Sequence, residues 1–236
     1  DGKRFAFTIF EDPDAQTLQQ SREAYGFLSD QGFRTTAGVW TMEPGKARRN
    51  SGGETCQNPE YLAWVQELQR RGHEIGLHSV APGSMTREEI MQGLANFREF
   101  FGADPVTMAS HYNADAMYWG AARLTGWNRA VYKVATMGRS SDRFFGEQES
   151  HPSFWGDLCQ KHIRYCRNFV FRELNTLKAC PMMPYHDPDR PYVNYWYAST
   201  ETSNLGRFLQ RVTEESLDRL EEEGGAAILY THFGHD

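Results

Sequence analysis

The sequence predicts a single α/β domain, built as a distorted (β/α) barrel of about seven parallel strands. Runs rich in β-forming residues alternate along the chain with segments whose apolar residues recur at helical spacing. This alternation is typical of a parallel sheet joined by right-handed crossovers. The chain has 236 residues, a length that such barrels often reach undivided, and no linker separates two parts. An open doubly wound sheet is the competing architecture.

In the first half of the chain, strands and helices follow one another at regular spacing. The run RFAFTIF predicts a strand over 4–10, and the helical pattern of 15–32 stops at Gly32. Thr86 and Glu89 are spaced as in a capping box, which begins the third predicted helix. The other strands are predicted at 34–40, 74–79 and 106–110, the other helices at 59–72, 84–102 and 114–126 (ending at Gly126), and a loop at 45–59.

The second half of the chain is less regular. We predict strands at 167–177, 192–200 and 226–232, and a helix at 206–224. One domain is therefore expected to cover residues 1–236. The chain begins in a strand and stops just after one, so truncation of the domain at one or both ends stays open.

Composition excludes some classes of function. The net charge is -6 and no basic block or stripe is present, which argues against nucleic acid as a partner. No apolar run reaches the length of a membrane span, and no signal peptide is visible. The four cysteines form no CxxC pair, so a thiolate zinc site is not expected, and we predict reduced thiols and a cytoplasmic location. The oligomeric state does not follow from the sequence.

Side chains that bind metals follow four of the predicted strands. They are Glu11, Asp12 and Asp14 after the first strand, His78 after the third, His111 after the fourth, and His232 and His235 after the last. A lone histidine at a strand end is usually a structural hydrogen-bonding residue, but the carboxyl ends of barrel strands converge on one face, where active sites form. Imidazole and carboxylate together suit zinc, iron, cobalt or nickel. We therefore predict a divalent metal site, with zinc as the first choice.

Three motifs stand in order along the chain: IFEDP at 9–13, GHEIGLHS at 72–79 and GGAAILYTH at 224–232. In this order they resemble the polysaccharide deacetylase superfamily, the NodB-homology carbohydrate esterases, over the whole chain. The resemblance implies a metal-dependent hydrolase. It implies Glu11 as catalytic base, Asp12 and His78 as metal ligands, and His232 as general acid. The stretches FWGDLC, MPYH and YTHFG are similar to those of uncharacterised deacetylase-like proteins associated with surface polysaccharides.

The chain departs from this family at two places. The family's second metal histidine would fall at Pro82, and its arginine-containing third motif is replaced by ASHYN at 109–113. We predict that His111 supplies the lost ligand, giving an Asp12–His78–His111 triad with an open coordination position. Three rivals stay open: Asp14 as an extra carboxylate ligand, His232 as a ligand in place of an acid, and His111 as a structural residue.

The predicted function is hydrolysis of a carbon–nitrogen bond outside peptides, with an N-acetyl sugar of a surface polysaccharide or its precursor as substrate. Aromatic residues cluster in the irregular middle of the chain, which predicts a carbohydrate-binding wall of Trp155, Tyr185, His186 and Trp196. A sugar-binding module that has lost its metal on the same barrel is the alternative, and a nucleoside or purine hydrolase is a weaker one. Metal content of the purified protein distinguishes the first two.

Overall fold

A closed barrel of parallel strands organises the protein. The computed structural model describes residues 2–44, 52–117, 126–135, 137–138 and 143–235. Within these ranges the strands are β1 (Phe5–Glu11), β2 (Thr36–Val39), β3 (Glu74–Leu77), β4 (Thr107–Met108), β5 (Tyr165–Phe171), β6 (Tyr195–Glu201) and β7 (Gly225–Thr231). Each strand pairs in parallel with the next in sequence, and β7 pairs with β1 along its full length. The predicted (β/α) barrel is confirmed, and the open sheet is excluded.

Helices occupy the connections between the strands. They are α1 (Leu18–Asp30), α2 (Pro59–Arg70), α3 (Arg87–Phe101), α4 (Gly126–Ala135), α5 (Gly156–His162), α6 (Thr176–Ala179), α7 (Leu205–Arg211) and α8 (Glu214–Glu223). The capping box predicted for α3 is confirmed, because Thr86 and Glu89 each bond the other's backbone N–H, and Gly102 ends the helix with a φ of 80°. In the described part of the chain, no helix is long and apolar enough to cross a membrane.

Two elements of the second half differ from prediction because side-chain caps interrupt them. The strand predicted at 167–177 ends at Phe171, since Asn175 accepts a hydrogen bond from the Lys178 N–H and caps the short helix α6. The single helix predicted at 206–224 is divided into α7 and α8. Thr213 caps α8 through the Ser216 N–H, so a new helix begins there.

The predicted helix at 114–126 is also different. Residues 114 and 115 form a turn, and 116 and 117 belong to no helix or strand. Residues 118–125 lie outside the described residues, and Gly126 belongs to α4 instead of ending a helix. Residues 45–51 of the predicted loop at 45–59 lie outside the described residues. Helix α2 begins at Pro59, where the predicted loop ends, and Asn58 caps it.

Alternation along the strands divides the core into two layers. Phe10, Ala109 and Tyr197 form a small cluster, whereas the neighbours of these residues along the strands, such as Met108 and Trp196, belong to the large cluster that also includes helix residues. Since successive side chains of a strand face opposite sides, the first cluster lies inside the barrel and the second between barrel and helices. The barrel therefore presents a rigid rim on which polar side chains can be held.

Candidate metal centre

One carboxylate and three imidazoles meet at the carboxyl end of the barrel. His78 Nε2 lies 3.2 Å from Asp14 Oδ2, and His111 Nδ1 lies 3.3 Å from Asp14 Oδ1. His232 Nε2 lies 3.5 Å from Asp14 Oδ2. The facing nitrogens of His78 and His111 are 3.2 Å apart. These side chains come from the ends of β1, β3, β4 and β7, and the buried Asp and His groups could hold a metal ion.

Two backbone turns in the left-handed region follow the donors of this cluster. Ala15, directly after Asp14, has a φ of 56°, and Ser79, directly after His78, has a φ of 51°. This conformation costs free energy in residues other than glycine and is concentrated at functional sites. Ser79 also accepts a hydrogen bond from the His111 N–H through Oγ at 2.9 Å. The turn after β3 therefore holds the backbone that carries the second imidazole.

The loop after β7 lies directly against the loop that carries Asp14. A Cβ on Gly234 would stand 2.5 Å from the backbone of Ala15 and Gln16 and 2.6 Å from the Asp14 carbonyl oxygen. No side chain fits in that space. Glycine at this position therefore allows the first and last strand ends to approach closely, which brings His232 to Asp14.

Hydrogen bonds fix the charge of the carboxylate and the tautomer of one histidine. Burial alone would raise the pKa of Asp14, but hydrogen bonds from His111, His232 and His78 hold that pKa far below its usual range. His232 Nδ1 must carry its proton, because it donates to the Ser203 carbonyl oxygen at 2.8 Å. Its Nε2 consequently faces Asp14. Burial opposes the charged form of His232, but the neighbouring carboxylates outweigh it and raise its pKa.

Asp12 is held differently from Asp14. Both of its carboxylate oxygens accept hydrogen bonds from Arg167 of β5, one at 3.0 Å between Oδ1 and Nη1 and the other between Oδ2 and Nη2. Both side chains are almost completely buried, and the guanidinium lies over the Tyr230 ring at 4.2 Å. Asp12 Oδ2 is 3.6 Å from His78 Nδ1. Asp12 also belongs, with Asp14 and His232, to a second group that could hold a metal ion. Asp14 is common to both groups, and the predicted ligand role of Asp12 stays a prediction.

Glu11 faces helix α1. It is 1% exposed and accepts hydrogen bonds from Gln16 Nε2 at 2.9 Å and Tyr25 Oη at 3.3 Å. Burial, and then the charge of Asp12, raise the pKa of Glu11 well above its usual value. Both oxygens of Glu11 thus bond side chains of α1 and of the loop before it, so this geometry does not favour the predicted role of catalytic base.

The predicted aromatic wall divides into two pairs. Trp155 donates its indole N–H to the Asp115 carbonyl oxygen at 2.7 Å, and Trp196 is completely buried with the Arg190 guanidinium 3.7 Å from its ring centre. Both tryptophans belong to the core, which corrects their predicted place on a substrate wall. Tyr185 is half-buried and His186 is exposed, and their role in binding substrate stays a prediction.

Sequence reasoning missed two contributors. Arg167 was not predicted because it is 155 positions away from Asp12 in the sequence and shares no motif with it. The positioning role of Ser79 was also missed, since only the backbone angle and the contact with His111 reveal it.

Three comparisons with known proteins were made. No protein-family model matches the chain, and no match was found among curated proteins or solved structures. The assignment of function therefore depends on the barrel and on this cluster.

Proposed function

We propose that this protein is a metal-dependent hydrolase that removes N-acetyl groups from an amino sugar of a polysaccharide or its precursor. The observation that carries the proposal is the contact of one buried carboxylate, Asp14, with three imidazoles delivered by separate barrel strands. In (β/α) barrels this face is where catalysis takes place. The resemblance of the strand-end motifs to polysaccharide deacetylases supports the choice of substrate class.

The donor set fits zinc. Bonds of about 2.0–2.1 Å from zinc to nitrogen and oxygen correspond to edges of roughly 3.3–3.4 Å in a tetrahedron of ligands. His78 Nε2 and His111 Nδ1 are 3.2 Å apart, close to such an edge. Each faces a different oxygen of Asp14, Oδ2 at 3.2 Å and Oδ1 at 3.3 Å, and one ligand atom from each of the three side chains lies within 4.8 Å of the others. Asp14, His78 and His111 would be the ligands, so the carboxylate ligand is Asp14 in place of Asp12. Asp12 Oδ2 lies 3.6 Å from His78 Nδ1, which is beyond hydrogen-bond distance, and Asp12 is held by Arg167 instead.

The proton transfers of the proposed reaction are assigned to residues beside the proposed metal ligands. A divalent ion held there would supply Lewis-acid polarisation of the amide carbonyl group and of the attacking water. Asp12 would accept the proton of that water, with its carboxylate oriented by Arg167. The water oxygen bonds to the carbonyl carbon, the carbon–nitrogen bond breaks, and His232 Nε2 would protonate the departing amine. The products are acetate and the free amino sugar.

Metal content and acetate release from chitooligosaccharides test this proposal together. The parent chain should hold about one zinc ion, and Asp14→Asn, His78→Ala and His111→Ala should each lose it. Asp12→Asn and His232→Ala should retain zinc and reduce kcat by about 10²–10⁴-fold. Asp104→Asn, which removes a carboxylate from an exposed ion pair with Arg98, is the matched control and should change neither quantity.

Each part of the proposal can fail separately. Retention of zinc by Asp14→Asn with its loss in Asp12→Asn would restore the triad predicted from sequence. A parent chain that binds zinc but releases no acetate from any N-acetyl sugar would contradict the substrate class and leave the metal site intact. A parent chain without metal would reject the hydrolase.

A further inference from the structure

Helix α4 contributes no residue to the protein core. It belongs to the connection of residues 109–164 between β4 and β5, whose other helix, α5, carries the completely buried Cys159. In α4 itself Tyr132 is half-buried and the other residues are exposed. Trp127 is 80% exposed and Val134 is 78% exposed. Exposed apolar side chains at such density on one helix indicate an interaction surface, because single exposed apolar residues are common but contiguous ones are not.

The side chains of α4 separate into an apolar and a cationic face. Trp127, Val131 and Val134 have the spacing i, i+4, i+7, which places them along one side of a helix. At 100° per residue, Arg129 and Lys133 project from the opposite half of the helix. The ten residues of α4 include no aspartate or glutamate. Met137, which is 72% exposed, follows the helix and adds a further apolar side chain beside it.

We propose that α4 docks on an anionic lipid surface. An apolar side that contains tryptophan, with basic residues on the other half, is the pattern of helices that lie in the membrane interface. Charge complementarity favours this occupant: the whole chain has a net charge of -6, whereas α4 carries two cations and no anion. Anionic headgroups attract such a local basic segment. A protein partner would need only the apolar face and would leave the two cations without a role.

The dimensions of α4 define how it would bind. Ten residues of α-helix extend about 15 Å, roughly half the thickness of the hydrocarbon core of a bilayer. The helix would therefore lie parallel to the surface, with the Trp127 side inserted at the level of the headgroups. Arg129 and Lys133 would start on the other half, and their long side chains would extend back to lipid phosphates. The inference depends on α4 alone and would stand even if the proposed deacetylase activity were wrong.

Vesicle sedimentation of the full chain tests this docking. Vesicles of phosphatidylcholine mixed with phosphatidylglycerol should bind the protein, and those of phosphatidylcholine alone should not. Arg129→Gln combined with Lys133→Gln should weaken binding by roughly fivefold for each cation, and added salt should weaken binding by the parent chain. Trp127→Ser combined with Val134→Ser should abolish binding. Tryptophan emission of the parent should shift to shorter wavelength with the anionic vesicles, and Trp127→Phe should remove that shift.

A matched control is available on another helix. Leu205 and Leu209 of α7 are 57% and 61% exposed, but α7 packs against the core through Phe208, and its Arg207 pairs with Glu201 at 3.0 Å. Leu205→Ser combined with Leu209→Ser should bind vesicles like the parent chain. Urea unfolding of the α4 variants should match the parent, because none of their changed residues is buried. Failure to bind anionic vesicles, equal binding to neutral vesicles, or equal loss in the α7 control would overturn the proposal. So would a parent chain that dimerises through Trp127 and ignores vesicles.

Discussion

The pair of Asp12 and Arg167 should be one of the most costly to break in the molecule. The two side chains are 2% and 1% exposed and joined by two hydrogen bonds. Arg167→Met leaves the Asp12 carboxylate buried without its counter-charge, which typically costs about 3–5 kcal/mol in the free energy of unfolding. For a chain of this size each kcal/mol lowers Tm by about 2–4 °C, so we expect a decrease of roughly 6–20 °C.

Arg167→Met also removes the packing of the guanidinium over Tyr230. A double-mutant cycle measures the interaction energy of Asp12 with Arg167 separately from that packing. Asp12→Asn in the Arg167→Met background removes the orphaned charge, so the double variant should be more stable than the sum of the single losses predicts, by about 2 kcal/mol or more. Urea unfolding with a chelator present excludes effects of metal loss. Arg98→Met, which breaks an exposed pair with Asp104, is the control and should cost at most about 1 kcal/mol. A loss below about 1 kcal/mol in Arg167→Met, or strict additivity, would refute the reasoning.

Two further predictions concern residues whose sequence-based roles the structure does not favour. Because the pKa of Glu11 is raised, the native state keeps a proton that the unfolded state releases, so this contribution to stability is present below about pH 4.5 and is lost as pH rises towards the folded-state pKa. Glu11→Gln has no carboxyl group to titrate at this position, so its stability relative to the parent should rise as pH increases above about 4.5, by up to about 1.4 kcal/mol per pH unit. Parallel urea-unfolding profiles would mean that the pKa of Glu11 is the same in the native and unfolded states. Trp196→Ala should lose about 3–5 kcal/mol of unfolding free energy as a core truncation, whereas the exposed His186→Ala should stay within about 0.5 kcal/mol; a fully stable Trp196→Ala would contradict its core position.

The fold could be predicted from sequence because local patterns and the barrel agree. Strand β1 and helix α3 each carry their own signal, in β-forming residues and in the Thr86–Glu89 capping box. Two of the boundaries that were wrong, both in the second half of the chain, depend on single caps. Asn175 and Thr213 begin new helices inside segments whose apolar pattern continues, and periodicity alone does not detect such interruptions.

The candidate site was predictable to the level of strand ends but not of individual carboxylates. His78, His111 and His232 stand at strand ends, and the structure brings all three together. Whether Asp12 or Asp14 meets them depends on the turn at Ala15, whose left-handed φ has no sequence signal. The partner of Asp12 comes from the opposite part of the barrel, and pairing at that distance requires the closed structure.

The four central side chains are far apart in the sequence, which determines the stage of folding at which the site can form. They are Asp14, His78, His111 and His232. Asp14 and His232 become neighbours only because β7 pairs with β1, between the first and last parts of the chain. Contacts of such long sequence separation generally form late, since closing the intervening loop costs entropy before any contact compensates it. During synthesis, a chain released only as far as α8 would carry Asp14, His78 and His111 but neither β7 nor His232. The complete cluster would assemble only after the last strand has joined the barrel, whereas Asp14, His78 and His111 all precede that strand. Arrival of His232 would therefore mark the end of folding, and the three proposed ligands could come together before it.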